Sequence, residues 1–310
     1  MGRGGPAPVT GRWVRGPALT RVRDRFVVEP PVALPPGYVV HVPGRGELFV
    51  RDSGGEGPAV LLLHGWIFQS DLNWYRTYKP LIAAGYRVLA IDHRGHGRGL
   101  RAEQPFRLSE CAADAAAVVD QLGCGPVTAI GYSMGGAIAQ LMGRDHAAQV
   151  SGLVLCATSR DWQDPRMAAA FAAMGLVRVT LNLFPYSFWR RALAREGFPD
   201  DATTAWVAAE LSRGSGRDIA EAGRELGRFD SRGWLRSIEA PVAVVVNTRD
   251  RTLAVRKQEE LAAGVDGARF AFDGDHMAVV GQGRRYAETL LEAIGAVSGA
   301  ARVGARAPAA

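Results

Sequence analysis

The sequence predicts an α/β fold: an open, mostly parallel twisted sheet with helices on both faces and an inserted helical cap. Three observations carry this. Apolar runs bounded by Gly recur along the chain, as parallel strands buried on both faces should read. Amphipathic stretches separate them, and strand, helix, strand repeated in this way implies a parallel sheet. One interval of about 80 residues, between SGLVLCATS and APVAVVVNTRD, breaks the rhythm. An unstructured loop of that length is improbable in a compact domain, so it is read as an inserted cap.

Residues 1–36 are rich in Pro, Gly and Arg and end in EPPVALPPG, where repeated Pro blocks both helix and ladder pairing. An arm is expected there. VVHVPGRGELFVRDSG follows as two short alternating strands around the turn Pro43 to Gly46. The remaining strand candidates are AVLLLHG, YRVLAIDH, PVTAIGYS, SGLVLCATS, APVAVVVNTRD and ARFAFDGDH. Helices are expected over Asp71 to Ala84, Leu108 to Leu122, Met134 to Met142, Val255 to Gly264 and Arg284 to Val297. In the long interval the helical stretches are MAAAFAAMGLVRVTLNLF, SFWRRALAREG and TTAWVAAELSRG. The expected organisation is therefore an arm over 1–36, a core over 37–159 and 237–300, a cap over 160–236 and a tail over 301–310.

Composition narrows the function classes. No apolar run approaches the ~20 residues of a membrane-spanning helix, so no integral membrane contact is expected. The amino terminus lacks the run of roughly 7–15 apolar residues of a secretory signal. Cys111, Cys124 and Cys156 are odd in number and share no C-x-x-C spacing, so a disulfide framework is not expected and a reducing cytoplasm is the default. The formal charge is +6, yet six Arg fall in the first 25 residues against the single acid Asp24. The excess sits largely on the arm, and no stripe of interleaved aromatic and basic residues marks a nucleic-acid surface.

The chemistry centres on Gly131-Tyr132-Ser133-Met134-Gly135-Gly136, which follows the apolar run VTAI and opens the amphipathic run AIAQLMG. A serine on a sharp strand-to-helix turn is exposed for attack, and side chains two positions away would collide where strand and helix cross. Gly131 and Gly135 remove them. The same placement aims the Met134 N–H and the helix dipole at a developing negative charge. A serine needs a base. Of six histidines, His276 ends the last predicted strand and should face the same sheet edge as Ser133, whereas His41 and His146 lie away from it. His93 and His96 could pair with Asp92 on a metal, but no third and fourth ligand stand nearby, so a structural loop is expected. The orienting acid should close another strand. Asp250 does, between Ser133 and His276 in the chain; Asp161 is the competitor, and Asp273 and Asp275 lie too near His276 to orient its ring easily. A strand running into His64-Gly65-Trp66 would turn back over Ser133 and present the Trp66 N–H, with His64 as a packed turn residue.

At this point the chain resembles the α/β-hydrolase superfamily. Four features match in order: the turn His64-Gly65, the loop Asp92-x-Arg94-Gly95-His96-Gly97, the G-x-S-x-G-G elbow, and the late Asp and His. The resemblance spans about residues 37 to 298 and is similar to capped bacterial hydrolases, among them carboxylesterases, carbon–carbon bond hydrolases and cofactor-free haloperoxidase-like enzymes. It implies backbone oxyanion donors at Trp66 and Met134 and a cap from about Arg160 to Arg236. Haloalkane dehalogenases and epoxide hydrolases, which use a carboxylate where this chain has Ser133, are disfavoured. The expected reaction is hydrolysis of a small-molecule ester with no metal or organic cofactor; carbon–carbon hydrolysis, acyl transfer and ligand binding without turnover are the alternatives. Met174, Leu176, Leu181, Leu183, Phe184, Phe188 and Trp189, with Trp66 and Phe68, are expected to line an apolar pocket.

Overall fold

The computed structural model describes residues 28–163, 185–195 and 198–304. Most of the arm and the predicted helix over residues 167–184 lie outside these residues. One sheet of eight strands organises the chain, in the order β1-β2-β4-β3-β5-β6-β7-β8. The strands are β1 (Gly37–Val42), β2 (Gly46–Asp52), β3 (Ala59–Leu63), β4 (Arg87–Ile91), β5 (Val127–Tyr132), β6 (Val150–Cys156), β7 (Val242–Asn247) and β8 (Gly267–Phe272). The β1–β2 hairpin pairs antiparallel and β2 joins β4 antiparallel; every later pairing is parallel.

The continuous apolar runs fill both faces by strict alternation. Leu61, Leu63, Leu89, Ala129, Leu153, Leu155 and Val244 face one core, where α3 (Leu108–Leu122), α4 (Met134–Asp145) and α8 (Val255–Gly264) cover them. Their neighbours Val60, Leu62, Val88, Ile130, Val154 and Val245 face the other core, under α1 (Ser70–Trp74), α2 (Tyr78–Ala83) and α10 (Gly283–Gly304). The central strand β5 is buried at every residue.

The structure differs from the sequence reading in three places. The helix expected over Asp71 to Ala84 is two helices, because the Pro80 ring would strike the carbonyl of residue 76 in a continuous helix. Pro80 instead falls in the first turn of α2, and the Thr77 hydroxyl closes α1 by donating to the Trp74 carbonyl at 2.9 Å. Between β6 and β7 lie α5 (Pro185–Arg195), α6 (Ala202–Leu211) and a helix that the sequence reading lacks, α7 (Gly216–Leu226). Ser215 caps it by accepting from the Asp218 N–H, and Ile219, Ala222, Gly223 and Leu226 form its buried stripe. Finally, α10 runs to Gly304, past the end at Val297 expected for that helix. The short helix α9 (Ala278–Gly281) precedes it. Among the described residues, no helix is long and apolar enough to cross a membrane.

Candidate active site

Ser133 stands between β5 and α4 with φ 55° and ψ −116°. A side chain at that φ is strained by roughly 1–3 kcal/mol, so the surroundings must hold it. They do so from both sides. The Ser133 N–H donates to the Cys156 carbonyl at 2.9 Å, and the Ser133 carbonyl accepts from the Gly136 N–H at 2.9 Å and the Thr158 hydroxyl at 2.7 Å. The three glycines leave room for the crossing: a Cβ on Gly131 would meet the Gly135 backbone, one on Gly135 the Leu63 carbonyl, and one on Gly136 the Thr158 side chain.

The structure brings Ser133, His276 and Asp250 together. His276 Nε2 lies 3.0 Å from Ser133 Oγ, and His276 Nδ1 lies 2.6 Å from Asp250 Oδ2. With Nδ1 protonated and donating to Asp250, Nε2 is left to accept from the serine hydroxyl. Asp250 is buried and its other oxygen accepts from the Thr252 and Leu253 N–H groups, both at 2.9 Å. Asp161 is not at this site; it forms a buried ion pair with Lys257 of α8. Asp273 pairs with Arg249 at 2.7 Å, and Asp275 accepts from the Met277 N–H at 2.8 Å. His41 is exposed in β1 and His146 ends α4.

The turn after β3 reaches the same place. A Cβ on Gly65 would sit 3.4 Å from the Ser133 Cβ, so the His64-Gly65-Trp66 turn packs directly over the serine. Its Gly65 N–H is held by Asn73 Oδ1 at 3.0 Å, and Ile67 takes φ 73° as the chain bends away. Two side chains tie this turn to the helices between β6 and β7. The Trp66 indole donates to the Ile219 carbonyl at 2.8 Å, and the Gln69 amide donates to Glu210.

Behind the turn, His64 Nδ1 donates to the Gly65 carbonyl at 2.8 Å and Nε2 accepts from the His93 N–H at 3.0 Å. The ring is therefore neutral, and burial pushes its pKa down to about 4. Burial likewise lowers His96 to about 3 and holds His93 well below the ordinary imidazole value. Burial would raise Asp92, but the Arg98 guanidinium and hydrogen bonds from the Ser70 hydroxyl and the Arg98 N–H outweigh it and leave the carboxyl at about 2. These residues brace the turn; no group of three or more ligating side chains that could hold a metal occurs among the described residues.

A cavity of about 570 Å³ opens over Ser133 and His276. Trp66, Phe68, Trp162, Trp189, Leu193 and Phe198 give it an apolar wall. Phe188 does not line it, and Met174, Leu176, Leu181, Leu183 and Phe184 lie outside the described residues.

Comparison with known proteins agrees with this architecture. Among solved structures, the enol-lactonase of Burkholderia xenovorans LB400 superimposes with a TM-score of 0.70 at 21% identity, over 83% of this chain and 99% of that one, which shows the fold. The non-heme haloperoxidase of Rhodococcus erythropolis is 40% identical over 110 residues, 35% of this chain and 39% of the relative, so the alignment spans less than half of that protein. The pimeloyl-[acyl-carrier protein] methyl ester esterase of Methylococcus capsulatus is 30% identical over 271 residues, 80% of this chain and 98% of the relative. A model of the alpha/beta hydrolase family matches residues 60–289, from β3 into the last helix. That span takes in strands β3 to β8, the elbow and the late histidine loop, and the chain belongs to the alpha/beta hydrolase family.

Proposed function

We propose that this protein is a serine hydrolase that cleaves a carboxylic ester with a largely apolar acyl group through an acyl-enzyme. The observation that carries the reading is the unbroken relay from Ser133 Oγ through His276 to Asp250, at 3.0 and 2.6 Å. As His276 Nε2 takes the hydroxyl proton, Ser133 Oγ attacks the carbonyl carbon. Asp250 holds the ring in the required tautomer and stabilises the imidazolium. The oxyanion accepts from the Trp66 and Met134 N–H groups, each worth about 2.7–4 kcal/mol by mutational precedent. His276 then protonates the departing alkoxide, and a water deprotonated by the same nitrogen hydrolyses the acyl-enzyme. In this reading residues 160–236 form a cap over a core of 37–159 and 237–300, with residues 1–36 and 301–310 outside it.

The relative that aligns over 98% of its length bears a methyl ester in its name, which supports ester chemistry. The apolar wall supports an uncharged acyl group. Each buried methylene is worth up to ~0.8 kcal/mol, so kcat/KM for p-nitrophenyl esters should rise several-fold per two carbons from acetate until the cavity fills. The test is a fluorophosphonate probe with that ester series, on wild type, Ser133→Ala and His276→Ala. Labelling and turnover should vanish in Ser133→Ala while the fold persists. Turnover within tenfold of wild type in that variant would remove Ser133 as nucleophile, and Ser133-dependent cleavage of diketones without ester turnover would move the reading to carbon–carbon hydrolysis.

A further inference from the structure

Two buried amides outside the relay, Asn247 and Gln258, join its acid and its base into one hydrogen-bonded ring. Both are fully buried. The orientation of each amide is set by the partner of its oxygen. Gln258 Oε1 accepts from the Asn247 N–H at 2.9 Å, so its NH₂ faces the other way. There it donates to Asp250 Oδ2 at 2.9 Å, the same oxygen that accepts from His276 Nδ1, and to the Leu253 carbonyl at 3.2 Å. Asn247 Oδ1 accepts from the Tyr286 hydroxyl at 3.1 Å, so its NH₂ donates to the Tyr132 hydroxyl and the Asp275 carbonyl, both at 2.8 Å. The Tyr132 hydroxyl donates onward to the His276 carbonyl at 3.0 Å. Every donor in the ring has an acceptor, and the direction of each bond follows from the next.

We propose that Gln258 and Asn247 are positioning residues for the reaction: Gln258 fixes the carboxylate oxygen that receives the His276 proton, and Asn247, through Tyr132, clamps the backbone on both sides of the imidazole. Both amides lie on or beside β7 and α8, the elements that carry Asp250, so the acid loop and the base loop are built to a common reference. The Thr248 and Arg249 N–H groups already tie the start of the His276 loop to the end of β7, by donating to the Phe272 and Gly274 carbonyls at 2.9 and 3.0 Å. The clamp adds the two peptide groups that flank the imidazole, and a base fixed there as well as at its ring holds the geometry that attack needs.

The titratable groups around the ring are Tyr132 from β5, Cys156 from β6, Tyr286 from α10 and His276. Burial pushes both phenols far above their ordinary value and the Cys156 thiol up to about 12, so these three stay neutral. Lys257, beside Gln258 on α8, is occupied by Asp161. A charge placed at position 258 would therefore be felt first by Asp250.

This inference rests on the serine-hydrolase reading, and the experiment separates the two. Gln258→Met keeps volume and removes both hydrogen-bonding atoms. Gln258→Glu keeps the acceptor for the Asn247 N–H, restores the donor to Asp250 when its carboxyl is protonated, and repels Asp250 when ionised. Steady-state ester hydrolysis is measured across pH, with melting curves and the downfield proton resonance of the Asp250–His276 hydrogen bond. In Gln258→Met kcat should fall about 10- to 100-fold, the span of one hydrogen bond to a charged group, with KM within twofold. The resonance should shift or broaden. In Gln258→Glu the activity relative to wild type should fall as pH rises, whereas in Gln258→Met the ratio stays flat. Asn247→Asp, which replaces a donor to the Asp275 carbonyl by an oxygen, should also lower kcat at unchanged KM. An unmoved resonance with unchanged kcat in Gln258→Met, or a pH-independent ratio in Gln258→Glu, would overturn the proposal; if Gln258→Met does not fold, the Glu variant decides. Asp250→Asn and His276→Ala are run alongside. Should they keep turnover, the catalytic reading falls and the resonance alone decides the clamp.

Discussion

Asp250 and Asp161 are both buried carboxylates just beyond the ends of neighbouring strands, and their partners separate them. Asp250 receives His276, Gln258 and two backbone N–H groups, whereas Asp161 receives the Lys257 ammonium. Substituting each by Asn should therefore give opposite phenotypes. Asp250→Asn is expected to lower kcat by about 10⁴ with a modest change in stability, because the amide favours the wrong imidazole tautomer. Asp161→Asn should leave kcat of the folded protein near wild type and cost about 3–5 kcal/mol in urea unfolding, since a buried ammonium loses its counter-charge. Loss of activity in the Asp161 variant without loss of stability would reverse the assignment. From sequence, Asp250 stood out by its strand end and its place between Ser133 and His276. Gln258 and Asn247 did not, because an uncharged amide has no motif, and only the fold shows which atoms its two ends meet. Thr158, which holds the Ser133 carbonyl, was invisible for the same reason.

At the level of elements, the turn around Ser133 concentrates the backbone requirements. The Leu63 carbonyl in β3 fills the place a Gly135 side chain would take, and a central strand cannot retreat. Gly135→Ala should cost more than about 3 kcal/mol or abolish soluble expression. Gly295 in α10 is the contrast: it is exposed, and a methyl group there would meet nothing within 4 Å beyond the helix's own neighbouring backbone, so Gly295→Ala should stabilise by roughly 0.5–1 kcal/mol through helix propensity. Denaturant melts of the two variants check both signs. Strand positions were legible because burial on both faces leaves an unbroken apolar run, as VTAIGY in β5 shows. The break before α2 was legible in principle at Pro80. Helix α7 was missed because Gly214, Gly216 and Gly223 weaken the helical signal, although Ser215 followed three residues later by Asp218 marks its start.

For the molecule as a whole, three buried neutral imidazoles set the response to acid. His64, His93 and His96 bind protons far less readily folded than unfolded, where an imidazole titrates near 6.5. The unfolded chain therefore binds more protons below that pH, and the stabilisation, complete above about 6.5, is lost as pH falls toward 4 and then 3. For His64 alone the loss amounts to roughly 3 kcal/mol. Urea midpoints should fall steeply between pH 6.5 and 4; a flat profile would mean that these rings are hydrated or already charged. Most of the sheet could be read from sequence, but not how the helices after β6 grip the turn before α1, since that depends on which indole meets which carbonyl. The grip has a consequence for traffic. Lifting α6 and α7 would break the Trp66–Ile219 and Gln69–Glu210 bonds and open the buried Gln69–Glu210 pair to water. Opening along that seam would thus leave the turn over Ser133 held by Asn73 and the His64–His93 bond alone of the ties described above. A molecule that enters past Phe198, which lines the cavity yet is 39% exposed, leaves both bonds in place.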